Sequence, residues 1–355
     1  MSGKGRVCIV GPSFGDPNRK HEGRTKMISR LYEFLRESGI AVSENIENCS
    51  VVHINSSGIF ELIKYARLPR RGKVYSLYSN LKTSPLNVVR DTVDFLRIRN
   101  PGFRENSLRN ILLRTALTMV SCSVPTPLVR WLFERTVEVA VFSNRYTARR
   151  VGASNGKVIR IGINLQKFQN CPRRGGTVTV GYVGHPSTSK GIIEAVEIMK
   201  RLKGVRKVLF LSNPARISVE KLLGKEDIEV KGPQEDLRAM YSSIDVLILP
   251  YRHELSSIAT PLVLLEAMAC GVAVVTSRIG HLREAGEGAV LYAEPGNVDE
   301  FVERVVYLIE NPKVRRKLGI RAKRIVGKNY DEKAVLMSYL SLYEEIGGRH
   351  EEVKR

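Results

Sequence analysis

Acidic residues, paired cysteines and long apolar runs are scarce in this chain. Asp and Glu number 36 against 57 Lys and Arg, a formal charge of +21, and a field of that sign draws phosphorylated substrates, nucleic acid or acidic lipid. The five cysteines, Cys8, Cys49, Cys122, Cys171 and Cys270, include no CxxC pair and no histidine at metal-ligand spacing, which argues against a zinc ribbon and predicts reduced thiols. Even the most apolar stretch, residues 110–129, contains Arg114, so no spanning helix is expected. Neither GxxxxGK[ST] nor GxGxxG occurs, which leaves P-loop hydrolysis and dinucleotide binding without support. The opening MSGKGRVCIVG stops at a Gly-Pro turn and reads as a first strand instead of a targeting peptide.

Apolar residues make up 43% of the 355, enough for packed cores, and the length suits two domains. Short β-branched runs (RVCIV, SVVHIN) alternate with amphipathic ones (KMISRLYEFLRESG), the rhythm of βαβ units and a parallel sheet. It restarts at TVTVGYVG after the polar piece NLQKFQNCPRRGG, which reads as a linker. The expected division is an N-terminal domain at 1–168, a second doubly wound domain at 169–330 and a closing helix at 331–355. Strands are expected at 177–183, 207–212, 228–230, 246–249 and 272–276, with ligands at their carboxyl ends.

The segment TPLVLLEAMACGVAVVTS, 260–277, predicts a short, almost wholly apolar helix, with Thr260 as N-cap, Pro261 in the first turn and Gly271 ending it. Its one charge is Glu266. An unpaired carboxylate there would cost several kcal/mol, so it has either a basic partner elsewhere in the domain or a vicinal diol such as a ribose. Backbone N–H groups from Thr260 to Leu262 would face an adjoining diphosphate. In GYVGHPSTSKG, 181–191, a strand leads through Gly184 into a polar loop, where Lys190 and His185 are candidate donors to phosphate oxygens, or else an ordinary helix-start lysine and a loop histidine.

These segments, with VFSNRYTARRVGASNGKVIRIGINLQKF, VKGPQEDLRAMYSSIDVLILP, LYAEPGNVDEFVERVVYLIENP and YDEKAVLMSYLSLYEEI, resemble the retaining glycosyltransferases of family 4 over most of the chain. The resemblance implies the GT-B fold, two Rossmann-like domains facing a central cleft, with a last helix crossing back to the first domain. It implies Lys190 as the phosphate-binding lysine, Glu266 as the glutamate holding the donor ribose, and Gly232 and Gln234 in the loop bracketing the base. Gly23 and Arg24, in a loop before the first long helix, match the family's N-terminal glycine region. Departures are Ile258 where many relatives have a second glutamate, His185 where most have arginine, and Tyr78 in place of the first-domain histidine that touches the sugar. Catalytic roles then fall to Lys190, His185 and Tyr78. The chain has no DxD, so a metal-bridged diphosphate is not expected and no cofactor is needed beyond a UDP- or GDP-linked sugar as substrate. A sugar-nucleotide epimerase and a catalytically impaired GT-B partner protein are the alternatives.

Charge is uneven: residues 1–170 hold 28 Lys and Arg against 12 Asp and Glu. Between residues 97 and 135, Arg97, Arg99, Arg104, Arg109, Arg114, Arg130 and Arg135 interleave with apolar residues, and Leu108, Ile111, Leu112 and Thr115 share one helical face. Such a helix either packs inward or lies in an interface. With the basic field it predicts a peripheral protein on the cytoplasmic face of an anionic membrane, with a lipid-phosphate or glycolipid acceptor. No nucleic-acid-binding signature is present, and nucleic acid is not an expected partner.

Overall fold

The computed structural model describes residues 6–10, 23–43, 46, 49–56, 60–80, 82–103, 107–172 and 175–352. The first half forms β1 (Val7–Val10), α1 (Gly23–Glu37), β2 (Val42–Ser43), β3 (Val51–Ser56), α2 (Phe60–Lys64), β4 (Lys73–Leu77), α3 (Pro85–Ile98), α4 (Leu108–Ser123), α5 (Thr126–Thr136), β5 (Val139–Phe142), α6 (Arg145–Val151) and β6 (Gly156–Val158). The second forms β7 (Thr179–Gly184), α7 (Ile192–Arg201), β8 (Arg206–Leu211), α8 (Val219–Leu223), β9 (Glu229–Lys231), α9 (Leu237–Ser242), β10 (Val246–Leu249), α10 (Leu262–Ala269), β11 (Ala273–Ser277), α11 (Gly280–Gly286), β12 (Leu291–Ala293), α12 (Val298–Glu310), α13 (Pro312–Asn329) and α14 (Glu332–Glu352).

The strands assemble into two parallel sheets, ordered β2-β1-β3-β4-β5-β6 and β12-β11-β10-β7-β8-β9. In the second sheet the winding reverses between β7 and β10, where Val180 stands beside Val246. That reversal opens a crevice at the carboxyl ends of these two strands. Strand β10 is wholly buried, as a strand covered by helices on both faces must be.

The chain passes between the domains twice, and the passages touch. Ile163 N–H donates to the Tyr330 carbonyl (2.9 Å), and Glu332 N–H donates to the Ile163 carbonyl (3.1 Å). Ile163, Phe168 and Cys171 already pack in the second domain's core, Phe168 edge-on to Tyr241, so that domain begins near residue 163 and not at 169. Helix α14 returns to the first domain, where Val335, Leu336, Tyr339, Leu342, Tyr343 and Ile346 fill its core. A buried polar network fastens it there: His53 on β3 bonds the Tyr343 hydroxyl (2.5 Å) and the Ser76 hydroxyl (2.6 Å), and Tyr339 bonds Ser76 and Tyr78. Burial pushes the His53 imidazole down to about 3, so the ring is neutral.

The expectation of five reduced thiols is corrected at one pair. A disulfide joins Cys171 in the linker to Cys270 at the end of α10, while Cys8, Cys49 and Cys122 stay thiols. With the paired cysteines 99 positions apart, no local spacing announces the bridge.

Candidate functional site

Helix α10 is apolar on every face except at Glu266, and Leu264, Leu265, Ala267 and Met268 are fully buried. It starts at Leu262 with Pro261 as its flanking N-cap, which corrects the assignment of that role to Thr260; Thr260 is buried one residue earlier. A proline N-cap accepts no side-chain bond, so the first N–H groups of α10 receive no cap from that residue. Glu266 is 9% exposed, and its Oε2 accepts from the Tyr241 hydroxyl on α9 at 2.8 Å. The Tyr241 hydroxyl thus helps orient this carboxylate. Burial raises the Tyr241 phenol, the nearby Glu266 charge adds to the rise, and the proton stays on Tyr241.

At the crevice the loop after β7 runs from Gly184 through His185 to Gly191. Gly191 adopts φ +76°, and a Cβ there would sit 1.9 Å from the Pro250 carbonyl oxygen, so the loops after β7 and β10 touch through a position that only glycine fills. Lys190 is half-buried in the turn before α7, its N–H bonded to the Ser187 carbonyl (3.1 Å). His185 is a correction to the expected phosphate donors. Arg216 donates to His185 Nε2 (2.9 Å), so Nδ1 carries the proton towards the Ser212 hydroxyl (3.0 Å) and neither nitrogen is left for a ligand. Burial lowers this histidine to about 3, and the charges of Arg216, Lys190 and Arg114 push the same way. Arg216, after β8, thus touches a neutral ring, and Lys190 on the β7 loop and Arg114 on α4 of the first domain act on the same ring electrostatically.

Tyr78 is the second correction. Its side chain is 1% exposed, and its hydroxyl donates to Asn55 Oδ1 (3.2 Å) and meets Tyr339, because the pleat after β4 turns it into the first domain. Only its backbone reaches the seam, where the Tyr78 carbonyl accepts from Ala259 N–H (2.7 Å). Ser79 and Ile258 form an antiparallel bridge beside it, so Ile258 occupies an interdomain position. Gly23 and Arg24 lie in the first turn of α1, not in a loop before it, and their side chains fall outside the described residues, as Arg104 does. Gly232 and Gln234 follow the edge strand β9, and Gln234 Nε2 donates to the Gly232 carbonyl (2.9 Å).

Sequence reasoning missed the polar seam that sets these loops. Arg252, two residues past Tyr251's predecessor Pro250 and 8% exposed at its side chain, donates to Glu194 on α7 (2.7 Å) and to Asp94 (2.7 Å) and Asp91 (3.1 Å) on α3. His253 Nε2 lies 2.6 Å from the same Asp91. The Thr188 hydroxyl donates to the Asp91 carbonyl (2.8 Å), and Arg252 N–H to the Ser189 carbonyl (3.0 Å), so the Lys190 loop is stitched to the first domain. Asn80 adds a second tie, donating to the Glu254 carbonyl and to His281 Nδ1 (both 2.9 Å). A basic residue directly after a switch-point strand was the available signal for Arg252.

The surface beyond α3 differs from the expected helical face. Ile111 points inward into the second domain's core with Phe95 and Ile98, and the Thr115 hydroxyl meets that of Thr92 on α3 (2.8 Å). Leu108 and Leu112 instead point outward, joining exposed Leu86, Val93, Leu113, Leu117, Val120, Leu128 and Trp131 in the span α3–α5. Among the described residues no single helix is long and apolar enough to cross a membrane.

Comparison with known proteins agrees with this geometry. Residues 177–311 match the family described as glycosyl transferases group 1. An N,N'-diacetylbacillosaminyl-diphospho-undecaprenol α-1,3-N-acetylgalactosaminyltransferase of Campylobacter jejuni is 29% identical over 229 residues, 58% of each chain. The match thus spans little more than half the length of that curated relative. Sucrose-phosphate synthase from Thermosynechococcus elongatus superposes with a TM-score of 0.70 at 17% identity, covering 97% of this chain and 100% of the other. Anabaena HepE in complex with UDP and glucose gives 0.66 at 13% identity, covering 96% and 99%. Residues 177–311 therefore match glycosyl transferases group 1, within a chain whose two Rossmann-like domains make the GT-B fold.

Proposed function

We propose that the protein transfers a sugar from a UDP- or GDP-linked donor to a lipid-phosphate or other anionic acceptor, with retention at the anomeric carbon and no bridging metal. The observation that carries the reading is Glu266, a buried carboxylate held by Tyr241 on the helix that follows the switch-point strand β10. A carboxylate so placed accepts the two hydroxyls of a ribose. Lys190 and Arg216 supply positive charge where a departing diphosphate would gather it, and neutral His185 positions Arg216 in place of acting itself. The first N–H groups of α10 add the favourable end of the helix dipole. HepE binds UDP in a like fold, and the Campylobacter relative's name specifies a diphosphate-linked lipid acceptor. The exposed apolar residues of α3–α5, among Arg97, Arg109, Arg114, Arg130 and Arg135, suit docking on an anionic membrane at its cytoplasmic face.

The test is thermal unfolding with UDP, GDP and ADP. The cognate diphosphate at 100 times its dissociation constant should add about 2.7 kcal/mol of stability. Glu266→Gln keeps the volume and a bond to Tyr241 but removes the charge, and it should fold normally while losing that gain. A variant stabilised as strongly as the parent removes the ribose assignment.

A further inference from the structure

We propose that the arginine-lined hollow between α6 and α11 binds the phosphate group of an amphiphilic acceptor, at a site separate from the cation cluster around His185. The hollow measures about 530 Å3 and is lined by Arg145, Tyr146, Arg149, Arg150, Gly280 and Glu284. That volume lies in the range of about 300–1,000 Å3 usual for small-molecule sites.

Both domains build its walls, and they are fixed. The Glu284 carboxylate on α11 accepts from the N–H groups of Arg145 (2.9 Å) and Tyr146 (2.7 Å), pinning α11 against the start of α6. The Tyr146 ring lies so close to Gly280 that a Cβ there would stand 2.1 Å from it. Charge is left over inside this frame. Glu284 is engaged by those backbone donors, and Arg150 pairs with Glu254, whose other oxygen takes the Tyr146 hydroxyl. Arg145 and Arg149 are exposed and form no ion pair among the described residues. Arg145 and Arg149 thus face the hollow against the single carboxylate charge of Glu284, a surplus of one positive charge, and two guanidinium forks so placed match the geometry of a phosphate, which accepts paired N–H bonds from each.

The surroundings supply the second half of the ligand. Arg150 also lines a smaller hollow with Asn80, Lys82, Thr126, Val129, Thr147 and Val151. Thr126 and Val129 belong to α5, which carries the exposed Leu128 and Trp131. The arginine hollow thus connects through Arg150 to a smaller hollow on α5, the helix on which an apolar tail would find Leu128 and Trp131. The proposal rests on the lipid-acceptor reading above, and it commits that reading to one place.

The experiment titrates the full chain with decyl phosphate below its micellar concentration, and with inorganic phosphate, each with and without saturating UDP. The parent should bind decyl phosphate equally well in both conditions. R145Q/R149Q should weaken it tenfold or more with UDP binding unchanged, and R316Q/R324Q, which removes two exposed charges from α13, should stay within twofold of the parent. Equal weakening by both double variants means a diffuse field and overturns the site, as does displacement by UDP, which would put the ligand in the donor crevice. Inorganic phosphate binding as tightly as decyl phosphate overturns the amphiphilic part. Failure of the parent to bind any nucleoside diphosphate sinks the glycosyltransferase reading and leaves the arginine result legible on its own.

Discussion

Replacing Arg252 by methionine should loosen the whole seam between the domains. The guanidinium is the shared partner of Asp91, Asp94 and Glu194, and all four side chains are mostly removed from water. Methionine fills much of the same volume but takes the shared cation away from three carboxylates, leaving Asp94 the exposed Arg97 at 3.5 Å and Asp91 the His253 ring at 2.6 Å. Removing one member of a buried charge cluster costs about 3–5 kcal/mol, largely because the orphaned charges remain. At about 2.1 cal/mol/K of unfolding entropy per residue, 355 residues give roughly 0.7 kcal/mol/K, so Arg252→Met should lower Tm by about 5 °C. Burial already holds the Glu194 carboxyl above its ordinary range. A raised carboxyl favours folding below its unfolded pKa and opposes it above, so the deficit should be full at pH 7 and shrink towards pH 4. Calorimetry of the single variant and of R252M/D91N/D94N/E194Q is the decisive comparison, since removing the whole cluster is expected to be close to neutral. A single variant within about 1 °C of the parent, or a quadruple variant no better than the single, refutes the reasoning.

The parent should also lose stability in mild acid. His53 and His281 are buried and held down to about 3 by desolvation, so their contribution is complete above the unfolded value of 6.5 and drains away as pH falls from there. At about 1.4 kcal/mol per pH unit for each ring, the step from pH 7 to pH 5 should remove roughly 4 kcal/mol through these two, and about half as much again through His185, which burial lowers to about 3 as well; a urea midpoint unmoved over that step contradicts the burial account. Lys190→Ala should cut turnover of the cognate nucleotide-sugar by ~10²-fold with little change in Tm; an unaltered rate returns Lys190 to the solvated surface. In flotation the parent should rise with acidic vesicles and release as salt shortens the screening length below ~10 Å, while L113E/L117E stays at the bottom. Equal recovery of parent and variant would leave a water-soluble acceptor as the better choice.

What could be read from the sequence was whatever depends on neighbours in the chain. The strand 246–249 is placed to the residue, and α10 within one, because a buried parallel sheet writes continuous apolar runs. Glu266 stood out because a charge in such a run needs a reason. The failures share a different physics. Whether His185 donates or accepts depends on Arg216, 31 residues away, and whether Tyr78 faces the cleft depends on Tyr339, 261 residues away. The Arg252 cluster joins residues about 160 apart, so each member alone looks like an ordinary surface charge.

The return of α14 to the first domain fixes an order of events during synthesis. Domains commonly fold as they emerge, the N-terminal one first. Here the first sheet can form early, but His53 has no Tyr343 and the apolar face of β3 has no cover until residues 332–346 are made, after every strand of the second domain. The second domain is thus the one that can finish on the ribosome, while the first waits, partly uncovered, for the last helix. A stop codon shortly after residue 330 would therefore injure the domain at the opposite end of the chain, leaving the second domain folded and the first exposed to proteases.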